Sequence, residues 1–195
     1  MKPMITEDFI TKEECRRLVN YFKYYKENVD TAPEPVWNGP RRHLWGAAWR
    51  DLENIYDPDA KRIVDSVLNF IEDKNKSIFD LSGELVFLRL FAQEMNEGAD
   101  APAHIDNTDM FRSEHRSLRE NENYYSSLLY LSDDYEGGEL IFPNLDIEIK
   151  PKAGTLVSFL GNEEFLHGVK PVTSGQRYNL VIFYIIGPST RTAAL

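Results

Sequence analysis

From Glu84 to Ile186 the chain never keeps one character for long. Leu85-Val86-Phe87-Leu88-Arg89-Leu90-Phe91 is apolar on both faces, as a strand covered on both sides would be. Asn96-Glu97-Gly98-Ala99-Asp100 breaks it. Tyr125 to Leu131, Glu139 to Phe142, Ile147 to Lys150, Thr155 to Leu160, Leu166 to Val172 and Arg177 to Ile186 then read as short strands parted by Gly, Pro and Asn turns. Short strands this closely spaced are accommodated by a sandwich or an open barrel. Helical patterns precede them, so the expected class is α+β, mainly β, with helices backing one sheet.

Two helices are legible before Glu84. Thr11 with Glu14 three residues on forms a capping box, and Cys15, Leu18, Val19 and Phe22 follow on one face. Asp57 caps the second helix and Pro58 suits its first position. Ala60, Ile63, Val64, Val67, Leu68 and Ile71 make its apolar stripe. Between them, residues 29–56 carry Pro33, Pro35, Gly39 and Pro40 together with all three tryptophans, Trp37, Trp45 and Trp49. Prolines and glycines this dense predict a flap rather than regular structure, with Arg41, Trp37 and Trp45 as candidate substrate contacts. Residues 107–123 are polar, without periodicity, and read as a second mobile loop.

The 195 residues suit a single domain, with helical support over about 6–76 and a strand-built core over about 84–186. A net charge of −10 argues against a broad grip on nucleic acid or an anionic membrane. One cysteine, Cys15, permits no intrachain disulfide and fits a reducing, cytoplasmic setting. The N-terminal residues carry acids early and do not read as a signal peptide. No run is long and apolar enough to predict a membrane span.

The chemistry concentrates in few residues. There are four histidines, His43, His104, His115 and His167. His104 and Asp106 stand two apart, which puts an imidazole and a carboxylate on one face of an extended strand. His167 lies among strand-like residues. Two imidazoles and a carboxylate on one side of a metal form a facial triad suited to non-haem Fe(II), and the absence of thiolates argues against structural zinc. His43 sits beside two arginines, which disfavours a bound dication; His115 sits in a charged loop. Thr173-Ser174-Gly175 can close a three-residue hairpin with Gly175 left-handed. In that register Pro171 opposes Arg177 and His167 opposes Val181, so His167 and Arg177 share a cavity. Arg177 would meet the far carboxylate of a dianion chelated at the metal.

In order, Gly98…His104-Ile105-Asp106, Leu128-Leu129-Tyr130-Leu131-Ser132, Gly137-Gly138-Glu139-Leu140-Ile141-Phe142-Pro143, Ile149-Lys150-Pro151-Lys152-Ala153-Gly154 and His167-Gly168-Val169…Gly175-Gln176-Arg177-Tyr178 resemble the Fe(II)/2-oxoglutarate-dependent dioxygenases of the prolyl 4-hydroxylase-like branch. The resemblance implies a double-stranded β-helix, a jelly-roll or cupin-like core with N-terminal helices packed on one sheet. It implies His104, Asp106 and His167 as iron ligands and Arg177 as the partner of the distal carboxylate of 2-oxoglutarate. Tyr130 matches a tyrosine that bonds the same carboxylate. Leu128 would line that pocket, and by alternation Val181 and Phe183 face inward. The family often carries an aromatic residue near Glu94 or Met95, and this chain does not.

The activity implied is oxidative decarboxylation of 2-oxoglutarate coupled to hydroxylation of an unactivated C–H bond. It uses Fe(II) and O2, with ascorbate as an accessory reductant. The leading expectation is a prolyl 4-hydroxylase acting on a protein or peptide. Two alternatives stand beside it: a 2-oxoglutarate-dependent hydroxylase of a free amino acid or other small molecule, and a non-catalytic barrel binding a metal or a carboxylate.

Overall fold

Thr11 starts a helix as its sequence requires. In the computed structural model, which describes residues 1–29, 40–48, 52–78, 84–106 and 123–187, α1 runs Lys12–Asn28. The Thr11 side chain accepts from the Glu14 amide, and the Glu14 carboxylate accepts from the Thr11 amide, closing the capping box. α2 spans Pro58–Ile78, and Asp57 accepts from the amides of Asp59 and Ala60. Cys15, Leu18 and Phe22 of α1 and all six residues of the α2 stripe are buried.

The strands are β1 (Met4–Thr6), β2 (Arg41–Ala48), β3 (Glu84–Met95), β4 (Ala101–His104), β5 (Asn123–Tyr130), β6 (Glu136–Gly137), β7 (Leu140–Phe142), β8 (Ile147–Ile149), β9 (Leu156–Leu160), β10 (His167–Val169), β11 (Val172–Ser174) and β12 (Arg177–Gly187). Among the described residues they form a major sheet of order β1-β9-β5-β12-β3-β2, a minor sheet of order β4-β10-β7-β8, and the small pair β11-β6. Every pairing is antiparallel. The fold is a double-stranded β-helix, with α1 and α2 against one face of the major sheet and the minor sheet across the other.

Period-two alternation divides the major sheet. Leu90, Ala92, Leu129, Leu180, Ile182 and Tyr184 join the apolar core with Leu18, Phe22, Ile63 and Val67 from the helices. The intervening residues fall on rungs of the opposite face. Arg41, Met95 and Arg177 make one rung; Gln93, Asn179 and Tyr130 the next. Phe91, Val181 and Leu128 follow, then Arg89, Phe183 and Ser126. Two irregularities keep these rungs in phase: one in β2 between His43 and Trp45, one in the β12–β3 pair between Phe183 and Tyr184, where Leu88 is the extra residue.

Three expectations are corrected. Residues 29–56 are not wholly irregular, because β2 begins directly after Pro40 and completes the major sheet beside β3. The helical support therefore also supplies strands β1 and β2. Trp45 is not a substrate contact: it is buried against Phe22 and Tyr25 of α1, at ring-centroid distances of 5.4 and 6.5 Å. The 167–181 hairpin does not form. β11 pairs with β6, β10 pairs with β4 and β7, and β12 pairs with β3 and β5. Gly175 is left-handed (φ 78°), but it serves a crossing from the minor to the major sheet. A Cβ there would stand 2.6 Å from the Asp134 carbonyl oxygen. Trp37, Trp49, His115 and residues 107–122 lie outside the described residues.

Candidate metal centre and its cavity

β4 ends at His104, and Asp106 follows it in a bend rather than on the strand. β10 brings His167 directly opposite His104. Their rings stand 4.5 Å apart between centroids. Gly168 makes the approach feasible, since a Cβ there would lie 2.8 Å from the Ala101 carbonyl oxygen. One ligand atom from each of His104, Asp106 and His167 falls within 4.8 Å of the others. Nε2 of each histidine lies 3.6 Å from an Asp106 oxygen.

The surrounding bonds orient these donors. His104 Nδ1 meets the Pro102 carbonyl at 2.8 Å, and His167 Nδ1 meets the Phe165 carbonyl at 3.0 Å. Each Nδ1 must donate there, which leaves each Nε2 lone pair facing Asp106. Burial holds the His167 imidazole below its usual range, the nearby His104 adds to this, and Asp106 opposes it. A neutral ring is the ligating form. Ser126 Oγ donates to Asp106 Oδ2 and fixes that carboxylate against the major sheet. Phe159 and Phe142 close the back of His167, at centroid distances of 4.6 and 6.0 Å. Two imidazole nitrogens and one carboxylate, without thiolate, suit Fe(II) with positions left for further ligands.

A cavity of about 320 Å³ opens from this cluster. His104, Asp106 and His167 line it from the minor-sheet side, and Leu128, Arg177 and Val181 from the major sheet. His167 and Arg177 therefore do share a cavity, facing each other from different sheets rather than along one hairpin.

Arg177 is the largest of the fully buried side chains, 1% exposed. Its Nη1 donates to Asn179 Oδ1 at 2.8 Å and lies 3.0 Å from Met95 Sδ. Its Nη2 donates to the Tyr130 hydroxyl at 3.2 Å, and Nε has no hydrogen-bond partner among the described residues. No carboxylate among them pairs with it. A guanidinium this buried, held by neutral groups alone, is costly without an anion. Burial pushes the Tyr130 hydroxyl up to about 12, Arg177 pulling the other way, so it stays a neutral phenol. The Met95 thioether stands against Arg177, near where the resemblance implies an aromatic residue at Glu94 or Met95.

Sequence reasoning missed several lining residues: Arg89, Phe91, Gln93 and Asn179. Gln93 and Asn179 were legible in principle, since they sit two residues from Phe91 and Arg177 on their strands. Arg89 also lies two residues from Phe91 in unbroken alternation, but it sits in a run that reads as apolar on both faces. Arg41 was named as a candidate contact, and it does line the cavity.

Comparison with known proteins agrees with this arrangement. Residues 90–185 match the family model described as the 2OG-Fe(II) oxygenase superfamily. Prolyl 3-hydroxylase 2 of Rattus norvegicus is 37% identical over 108 residues, 51% of this chain and 15% of that protein. The chain thus spans only a small part of the length of such curated relatives. Among solved structures, the viral collagen prolyl hydroxylase of Paramecium Bursaria Chlorella virus-1 superposes with a TM-score of 0.70 at 19% identity, covering 96% of this chain and 97% of that one. A Pseudomonas putida prolyl-4-hydroxylase gives a TM-score of 0.66 at 17% identity, covering 94% and 91%. At these identities the structures speak to fold.

Proposed function

We propose, from the premise that the chain belongs to the 2OG-Fe(II) oxygenase superfamily, that it is a 2-oxoglutarate-dependent prolyl hydroxylase acting on a protein or peptide. The observation that carries this reading is the pairing of two features in one cavity: a two-histidine, one-carboxylate cluster, and a buried arginine without an anionic partner. His104, Asp106 and His167 hold Fe(II). Arg177 and Tyr130 hold the distal carboxylate of 2-oxoglutarate, and Leu128 and Val181 flank its carbon chain. Residues 1–195 act as one domain.

Fe(II), with 2-oxoglutarate and O2, supplies the oxidising chemistry when bound, and ascorbate serves as an accessory reductant. The chain's own residues prepare for it. The Pro102 and Phe165 carbonyls keep both Nε2 lone pairs directed at the metal position. Ser126 holds Asp106 in one orientation. Asn179 and Met95 hold the Arg177 fork before any carboxylate arrives, which lowers the ordering cost of binding. Leu128, Val181 and Phe91 make the middle of the cavity apolar and exclude water from the reacting carbons.

The peptide substrate is proposed from the character of the relatives, named as prolyl hydroxylases of collagen or of prolyl residues. A nucleic-acid substrate is disfavoured by the net charge of −10. Among the described residues no helix is long and apolar enough to cross a membrane. A reducing compartment is proposed from Cys15, a buried free thiol that burial pushes up to about 11. Sequence similarity to prolyl 3-hydroxylase 2 favours a second reading of the product, hydroxylation at C3 rather than C4.

The test is succinate release with Fe(II), ascorbate and 2-oxoglutarate over a proline-containing peptide library. The wild type should release succinate and add one oxygen atom to a prolyl residue, and NMR of that product assigns C3 or C4. His167→Ala should fall to background. Equal succinate release from wild type and His167→Ala overturns the reading.

A further inference from the structure

Gln93 is buried in the cavity wall, 8% exposed, and its carboxamide makes no hydrogen bond among the described residues. Two N–H donors and an acceptor are thus left unmet away from bulk water, which is unfavourable unless something in the cavity meets them. The open space that Gln93 borders is the same cavity that holds the metal cluster and Arg177.

Its rung on the major sheet has three members. Gln93 pairs with Asn179 on β12, and Asn179 pairs with Tyr130 on β5. Arg177 reaches onto this rung, Nη1 donating to Asn179 Oδ1 at 2.8 Å and Nη2 to the Tyr130 hydroxyl at 3.2 Å. Asn179 therefore spends its oxygen on Arg177 and turns no acceptor toward an incoming anion. Tyr130 flanks Asn179 on one side, and Gln93 flanks it on the other, one strand spacing or about 5 Å away.

Depth separates this rung from the metal end. Along the cavity face of β3, Arg89 and Phe91 are half-buried, whereas Gln93 is buried and Met95 fully so. The Arg89 rung carries Ser126, which bonds Asp106, and His104 beside it is exposed. A peptide meets the open metal end. The deep end, where Gln93 stands, suits the far end of a small cosubstrate.

We propose that Gln93 is a third binding residue for the distal carboxylate of 2-oxoglutarate, donating an N–H from the β3 side as Tyr130 donates its hydroxyl from the β5 side. A carboxylate has two oxygens and about four acceptor directions, so an arginine fork and one phenol leave room for a further donor. A carboxamide adds that donor without a second charge, and the single cation of Arg177 already matches the anion. The assignment rests on the oxygenase reading above for the identity of the ligand.

The probes are 2-oxoglutarate and 2-oxopentanoate, which has the same chain without the distal carboxylate. Binding to the full chain is read by calorimetry with Mn(II) in place of Fe(II), and turnover by succinate release with a proline peptide. Gln93→Leu should weaken 2-oxoglutarate about tenfold, the size of one charge-assisted hydrogen bond, and leave 2-oxopentanoate within about twofold. Its KM for 2-oxoglutarate should rise about tenfold, with kcat and the peptide KM within about twofold of wild type. Gln93→Glu should weaken 2-oxoglutarate about 100-fold and keep 2-oxopentanoate binding, a selective loss that misfolding cannot produce. Equal weakening of both oxo acids in Gln93→Leu, or no weakening of either, overturns the assignment. A raised peptide KM with 2-oxoglutarate affinity unchanged gives Gln93 to the substrate and overturns it too. In both cases the oxygenase reading stands if the wild type turns over. Selectivity for 2-oxoglutarate that depends on Gln93 but comes without any turnover upholds the assignment and sinks the oxygenase reading. A wild type that binds both oxo acids equally sinks both.

Discussion

The two faces of the major sheet are made by the same strands and share almost nothing else. On β12, Leu180, Ile182 and Tyr184 pack into the helix-backed core, whereas Arg177, Asn179, Val181 and Phe183 line the cavity. β3 alternates likewise, Leu90 and Ala92 against Phe91 and Gln93. The helix side is close-packed and apolar, where burial area sets the stability. The cavity side buries an arginine and orphans its Nε, which no sheet would do for stability alone. A period of two lets one strand serve both ends without compromise, since neighbours in sequence never touch the same environment.

Three substitutions probe this division. Leu180→Ala empties fully buried space on the helix side and should cost about 3 to 4 kcal/mol of unfolding free energy, read by urea denaturation, with the KM for 2-oxoglutarate little changed. Arg177→Met, three residues away on the other face, should raise that KM about 100-fold, equivalent to about 2.7 kcal/mol. Its stability should stay within about 1 kcal/mol of wild type or rise, because an unpaired buried charge gives way to an apolar chain of similar volume. If Arg177→Met melts like Leu180→Ala, the division of labour is wrong. The smallest effect lies farthest out. Thr11→Ala removes the side-chain half of the α1 capping box and should cost about 1 kcal/mol without altering peptide or cosubstrate affinity.

The helices were readable because caps and stripes are local signals: Thr11, Glu14, Asp57 and the 60–71 stripe all act within a few residues. The short strands were readable from their turns. Pairing was not. The hairpin drawn through Gly175 obeyed turn chemistry, yet the chain leaves the minor sheet at Val169 and rejoins the major one at Arg177. The partners that decide this, Met95 on β3 and Gly137 on β6, lie far away in sequence. β2 was missed because Pro33, Pro35 and Pro40 lead into it, and its bulge spoils the alternation that would have announced a strand. For the site, His104, Asp106, His167 and Arg177 stood out by residue type, and the structure brings all four to one cavity. Arg89 did not, since it stands inside a run, Leu85 to Phe91, that reads as apolar on both faces.

The pairing of β1 with β9 has a consequence for how the sheet is completed. Met4 lies against Ser158, so β1 waits for a partner made much later in the chain. At about 5 to 20 residues per second of synthesis, the interval between the two is roughly 8 to 30 s. Long-range closures of this kind slow folding, because the loop entropy is spent before the contact rewards it. Until then β9 would emerge with one side bare beside β5, an edge able to recruit another chain. The three residues of β1 work as a clasp fastened onto β9 from far away in sequence, and their cost in time is returned as protection of that edge.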